Sequence, residues 1–120
     1  MVFPTPIQLN PLQQELTARV RDLAQRRFAS RAAEYDKHSL FPQEDFADLF
    51  QAGFGAAVIP PEFGGLGLGP YRGNVLTLWL ITKEIAKADL SLARCWEGHV
   101  NSLVLLDGIA THGGAHVPRF

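Results

Sequence analysis

The segment that decides the fold spans residues 58–69 and reads VIPPEFGGLGLG, with two prolines and four glycines. Proline restricts φ, and glycine alone adopts positive φ without a steric cost. The segment is therefore predicted to be an ordered loop with tight turns and close backbone packing, rather than a helix or a strand.

A second informative segment, KEIAKADLSLAR at residues 83–94, follows this loop. It is typical of the end of one helix, a short turn and the start of the next. The order of the loop, the helix and the motif Asp89-x-Ser91-x-Ala93 resembles the N-terminal domain of the acyl-CoA dehydrogenase family of flavoproteins. The resemblance extends from about Leu12 to about Ala110.

The resemblance implies a subunit with an N-terminal helical domain, a central β-domain and a C-terminal helical bundle, which usually assembles into homo-oligomers. In the family reaction a glutamate base removes the α-proton of an acyl-CoA thioester, while N5 of FAD takes a hydride from the β-carbon. The base and most FAD contacts lie in the later parts of family members. No carboxylate of this chain therefore inherits a catalytic role, no residue is assigned to the cofactor, and the chain alone is expected to be inactive.

The resemblance also places a substrate-pocket wall on the last long helix, through the match at Asn101-Ser102-Leu103. The implied substrate-binding residues are Cys95, Trp96, His99, Val100 and Leu103. Helical spacing alone equally favours an ordinary core position for Trp96, Val100 and Leu103. A tryptophan and an imidazole here would make the pocket short and polar, suited to a compact acyl group or one carrying a polar group.

Hydrophobic periodicity predicts an all-α fold, a helical bundle of about four main helices. The first begins at Asn10-Pro11, and the second follows Pro42 with Phe46, Leu49 and Phe50 facing inward. The others span about residues 74–88 and 90–111. We expect an N-terminal proline-containing segment over residues 1–11, the helical domain over 12–111 and an atypical tail over 112–120.

The last two predicted helices are apolar over most of their circumference. Val75, Leu78 and Trp79 share one face of the third helix, yet Leu80 and Ile81 lie elsewhere around it. Helices of this kind normally lie inside a larger assembly. The pattern predicts that other protein surface covers this domain, and that the isolated chain self-associates or is loosely packed.

Composition argues against several classes of partner. The formal net charge of −1 gives no support for nucleic acid as a partner. The single cysteine, Cys95, excludes an intrachain disulfide and is typical of a cytoplasmic protein. The apolar run from Val75 to Thr82 is too short to span a membrane. His112 and His116 are separated by two glycines and have no further ligands nearby, so no metal site is expected.

Three further alternatives stay open from the sequence. The glycine spacing in residues 58–69 matches neither a dinucleotide-binding fingerprint nor a phosphate-binding Walker loop. Tight backbone packing is the favoured role of these glycines, and direct contact with a flavin phosphate is the alternative. A flavin-dependent monooxygenase of the same fold would share this helical domain. A free-standing helical interaction module without catalysis would also fit the length of 120 residues.

Overall fold

The computed structural model describes residues 8–70 and 75–112, with side chains as far as residue 110. The α-helices are α1 (Pro11–Leu23), α2 (Ala29–Lys37), α3 (Gln43–Gln51), α4 (Val75–Ala88) and α5 (Leu90–His112). A π-helical turn, Ala24–Phe28, joins α1 to α2 without a break. The described ranges therefore contain four main helical rods and no strand, which confirms the predicted all-α class.

Helix α1 begins where the sequence predicts. The side chain of Asn10 accepts a hydrogen bond from the Gln13 backbone N–H at 2.8 Å, and the Asn10 N–H donates to Gln13 Oε1 at 3.0 Å. This reciprocal pair satisfies two backbone donors that the first helical turn leaves free. Pro11 occupies the first helical position, where its missing N–H costs nothing.

The π turn explains the spacing of the buried stripe on this rod. Leu16, Val20, Ala24 and Phe28 recur every four residues, and each is at most 2% exposed. An α-helix repeats every 3.6 residues, so a strict four-residue spacing drifts around its surface. The wider π turn offsets part of that drift and keeps Phe28 on the core side.

Helix α3 ends at a glycine, as predicted, because Gly53 has a φ of 90°. The Arg19 guanidinium donates to the Ala52 carbonyl at 2.6 Å and lies 5.3 Å from the centre of the Phe54 ring. Leu49 is fully buried, and Phe46 packs against the core. The prediction that Phe50 faces inward is wrong, since this side chain is 52% exposed and lies at the surface.

The core lies where α4 packs between α1 and α5. Ile81 and Ile85 of α4 are fully buried, as is Leu92 of α5, and Trp96 is 1% exposed. The Arg21 guanidinium of α1 donates to Glu84 of α4 at 3.0 Å. The packing of α5 against α4 fixes the position of the helix that carries the predicted pocket residues.

The predicted division of the chain at residues 11 and 112 stays a prediction, because residues 1–7 and 113–120 lie outside the described ranges. The expectation that His112 and His116 form no metal site also stays a prediction, since His116 and the side chain of His112 are not described. No helix in the described ranges is both long enough and apolar enough to cross a membrane. Among the described side chains, no group of three His, Cys, Asp or Glu residues could hold a metal ion.

Candidate functional site

Asp89 sets the start of α5 and its position beside α4. It is the single residue between the two helices. Its carboxylate accepts a hydrogen bond from the Leu92 N–H at 3.2 Å, and its carbonyl accepts one from the Ala93 N–H at 3.1 Å. An aspartate at this position satisfies otherwise free donors of the first turn. The motif at residues 89–93 is thus a helix start.

A groove of about 450 Å³ lies between α4 and α5. This is within the range of about 300–1,000 Å³ that is usual for small-molecule sites. We call it the α4–α5 groove. The α4 wall and its approach are formed by Pro70, Val75, Leu78, Trp79, Thr82, Lys83 and Ala86. The α5 wall is formed by Trp96, Glu97, Val100, Asn101 and Val104.

The groove brings together two of the five predicted substrate-binding residues. Trp96 and Val100 are one helical turn apart, are 1% and 5% exposed, and line the α5 wall. Trp96 Nε1 is buried and has no hydrogen-bond partner among the described residues. The two side chains are therefore both core residues and part of a cavity surface.

The other three predicted residues lie off the groove. Cys95 is exposed, and Leu103 is partly buried against the core. His99 Nε2 lies 2.7 Å from the Gly55 carbonyl oxygen, and its ring meets the Phe50 ring edge-on at 5.2 Å. Two of the five predicted residues therefore line the groove, and three do not.

The contact of His99 determines its tautomer when the ring is neutral. A carbonyl oxygen only accepts hydrogen bonds, so Nε2 must carry the hydrogen and Nδ1 is left as an acceptor. His99 thereby ties α5 to the 3₁₀ turn Phe54–Ala56. In the described structure, the hydrogen bond of His99 therefore holds these two elements together.

Trp79 and Lys83 belong to the groove, and sequence reasoning did not assign them to a site. They continue a row that begins at Val75 and repeats every four residues along α4. The four-residue spacing can be read from the sequence. The 68% exposure of Trp79 cannot, since the apolar face of this helix was expected to be buried. The exposed indole shows that part of this face borders the groove.

The backbone of the glycine-rich loop is hydrogen-bonded largely to itself. The N–H groups of Leu66, Gly67 and Leu68 donate to backbone carbonyls of residues 56, 59 and 57 at 2.9–3.1 Å. A Cβ at Gly65 would overlap the Ile59 carbonyl oxygen, so the close approach here is to the loop's own backbone. These three N–H groups are satisfied by nearby backbone carbonyls and are not free to bind a phosphate.

Two buried carboxylates form ion pairs between helices. Asp45 is fully buried, and its carboxylate forms an ion pair with the Arg31 guanidinium at 2.7 Å. The Asp48 carboxylate pairs with the same guanidinium at 2.8 Å. Burial raises the pKa of Asp45, and Arg31 opposes this only in part. The hydrogen bond from Arg21 is the main reason why the pKa of Glu84 is lowered. Each carboxylate joins two helices, and both lie outside the groove lining.

Comparison with known proteins identifies the family. The family model for the acyl-CoA dehydrogenase N-terminal domain matches residues 10–117. The chain therefore belongs to the acyl-CoA dehydrogenase family, as its loop and helix motifs indicate. Members of this family typically use FAD. No solved structure shows a significant match.

Three curated relatives illustrate the range of similar proteins. A probable acyl-CoA dehydrogenase of Mycobacterium leprae is 35% identical over 77 residues, covering 64% of this chain and 18% of the relative. A 3-sulfinopropanoyl-CoA desulfinase of Advenella mimigardefordensis is 34% identical over 87 residues, covering 72% and 20%. A cyclohex-1-ene-1-carbonyl-CoA dehydrogenase of Syntrophus aciditrophicus is 31% identical over 118 residues, covering 94% and 27%. The chain thus spans only about a fifth to a quarter of these relatives.

Proposed function

We propose that this chain is the N-terminal domain of an FAD-dependent oxidoreductase that acts on the CH–CH group of an acyl-CoA thioester. In this proposal α5 forms part of the substrate-pocket wall, and the exposed apolar surface takes part in assembling a cytoplasmic homo-oligomer. The observation that carries the proposal is the α4–α5 groove, because Trp96 and Val100 line a cavity of about 450 Å³. The flavin and the catalytic base belong to other parts of such an enzyme.

Trp96 and Val100 are proposed as direct contacts of the acyl group. Cys95, His99 and Leu103 stay predicted contacts, and they lie on neighbouring sides of the same helix. Cys95 is exposed and free to meet another part of the protein. His99 could contact a substrate only through Nδ1 or its ring edge, since Nε2 is engaged by Gly55.

A domain exchange tests the proposal. Residues 10–112 of this chain replace the matching segment of the Syntrophus aciditrophicus relative, and flavin absorbance and acyl-CoA oxidation are measured. We expect the chimera to retain flavin and oxidise an acyl-CoA. The 120-residue chain alone should show no stoichiometric flavin spectrum. A folded chimera that holds flavin but oxidises no acyl-CoA accepted by the parent would contradict the proposal.

Trp96→Ala in the same chimera tests the pocket wall. Removing the indole should shift kcat/KM toward longer or bulkier acyl groups, because each buried CH₂ contributes about 0.8 kcal/mol and two or three carbons amount to roughly tenfold or more. Leu92→Ala is the matched control, since Leu92 is fully buried on α5 but does not line the groove. An unchanged preference in a folded Trp96→Ala chimera would make Trp96 a plain core residue.

A further inference from the structure

The α4–α5 groove has a poorly compensated positive charge on its α4 wall. Lys83 lines the groove with a side chain that is 61% exposed. Its ion pair, with Glu84, has a separation of 4.0 Å. The same Glu84 carboxylate is contacted by Arg21 at 3.0 Å and by Lys87 at 3.2 Å. One carboxylate therefore faces three cations, of which Lys83 is the most distant.

The opposite wall does not neutralise Lys83. Glu97 is the one acidic residue among the described groove residues, and it pairs with Arg94 of its own helix at 3.4 Å. The Thr82 hydroxyl is also engaged, since it donates to the Leu78 carbonyl at 2.9 Å. The ionic group left available to a ligand is thus the Lys83 ammonium.

The rest of the groove favours an apolar body. Trp79, which is 68% exposed, lines one wall, and Trp96 and Val100, which are 1% and 5% exposed, line the other. Covering the Trp79 indole removes a large apolar area from water, which favours binding of a compact hydrocarbon. The groove therefore combines an apolar surface with a cation at its edge.

We propose that the α4–α5 groove binds a compact apolar anion, with the hydrocarbon against Trp79 and the carboxylate at Lys83 Nζ. The chemical proposal concerns the groove itself. Its biological reading rests on the proposed function: if the groove is the acyl pocket wall, then the acyl group of the substrate carries a second carboxylate remote from the thioester.

The two tryptophans of the chain both line the groove, so intrinsic fluorescence reports on this site directly. The 120-residue chain is titrated at low salt with adamantane-1-carboxylate and with the shape-matched neutral 1-adamantanemethanol, neither of which absorbs at 295 nm. We expect the carboxylate to bind about two- to five-fold more tightly, as for an exposed ion pair, and added salt to reduce the difference. Binding should also protect Trp79 from acrylamide quenching.

Three variants assign the charge effect. Lys83→Met should abolish the preference for the carboxylate while leaving the affinity for the alcohol nearly unchanged. Glu97→Gln should increase the affinity for the carboxylate by a similar factor, because it removes the anion on the opposite wall. Lys37→Met, at the end of α2 and outside the groove lining, is the matched lysine control and should behave as the unaltered chain.

The outcomes separate this inference from the proposed function. Equal affinity for both ligands, a preference for the alcohol, or a preference retained in Lys83→Met would overturn the anion site and leave an apolar pocket wall intact. Binding of neither ligand by a cooperatively folded chain would overturn the groove as a ligand site. The domain exchange would then still decide, by its flavin content and acyl-CoA oxidation, whether the chain serves an acyl-CoA enzyme.

Discussion

At the scale of single residues, Trp96 combines a large packing contribution with an unsatisfied donor. Its side chain is 1% exposed, and Nε1 has no partner among the described residues. Removing the ring opens a cavity, whereas replacing it with phenylalanine keeps most of the volume and removes the unpaired N–H.

Trp96→Ala is expected to lower the free energy of unfolding by about 3–5 kcal/mol, and Trp96→Phe by less than about 1.5 kcal/mol. Urea unfolding followed by far-UV circular dichroism measures both, since tryptophan fluorescence changes with the substitution itself. Trp79→Ala is the control and should change stability by about 0.5 kcal/mol or less, because Trp79 is 68% exposed. Equal losses for the Ala and Phe variants would contradict this account.

The buried carboxylates Asp45 and Glu84 should affect stability with opposite dependence on pH. Burial raises the pKa of Asp45 above its ordinary value of 3.8, despite Arg31 and with Asp89 and Asp48 adding to the rise. The hydrogen bond from Arg21 lowers the pKa of Glu84 below its ordinary value of 4.5. A raised pKa means that the folded state binds the proton more tightly, and a lowered pKa means the reverse.

The stability of the unaltered chain relative to Asp45→Asn should therefore be greatest below the ordinary aspartate pKa of 3.8 and decrease as pH rises through the raised pKa. Its stability relative to Glu84→Gln should be present above the ordinary glutamate pKa of 4.5 and be lost as pH falls through the lowered value. Urea unfolding between about pH 3 and 7 gives both differences. Slopes of the same sign for the two variants would contradict the assignment.

At the scale of elements, the loop at residues 58–69 is held by the close approach of its own backbone. Gly64 and Gly67 have φ values of 87° and 67°, and a Cβ at Gly65 would overlap the Ile59 carbonyl oxygen. At Gly55 the added Cβ would overlap the Phe50 ring, which is 52% exposed and can turn away. A side chain can yield where a hydrogen-bonded backbone cannot.

Gly65→Ala is accordingly expected to lower the free energy of unfolding by about 1–3 kcal/mol, the usual range for strained substitutions. Gly55→Ala should lower it by less. Thermal unfolding of the two variants makes the comparison, with Gly98→Ala as the control, because nothing lies within 4 Å of a Cβ at Gly98. Alanine is also the better helix former at that position. A smaller effect at Gly65 than at Gly55 would show that the loop relaxes.

At the scale of the whole molecule, the outer face of α5 remains apolar. Leu105, Leu106 and Ile109 are 63%, 61% and 40% exposed. Neighbouring exposed apolar side chains favour association, since burial removes them from water. The two-sided apolar pattern that the sequence shows in α5 therefore persists on the described surface.

The isolated chain is expected to self-associate at micromolar concentrations and to bind a hydrophobic dye. Leu105→Lys combined with Leu106→Lys should reduce both, as measured by sedimentation velocity and dye fluorescence. Leu90→Lys is the control, because Leu90 is 74% exposed at the start of α5 and lies apart from this face. A monodisperse monomer without dye binding would contradict the prediction.

Local chemistry made several elements predictable from the sequence alone. The Asn10 cap, the glycine end of α3, the Asp89 helix start and the tight loop each depend on residues within a few positions of one another. The side of α5 formed by Leu92, Trp96 and Val100 was also predicted, because helical periodicity alone places these residues together. These features identify the helical class and support the family motifs.

Only the tertiary structure decided which faces meet and which pairs form. The Arg31–Asp45, His99–Gly55 and Arg21–Glu84 contacts join residues 14, 44 and 63 positions apart, beyond the reach of local pattern. The same holds for the exposure of Trp79 and Phe50 and for the position of His99 outside the groove that Trp96 lines. Helical spacing determines which residues share a side of a rod, but the crossing of α4 with α5 determines whether that side becomes core, groove or surface, because burial depends on the neighbouring element.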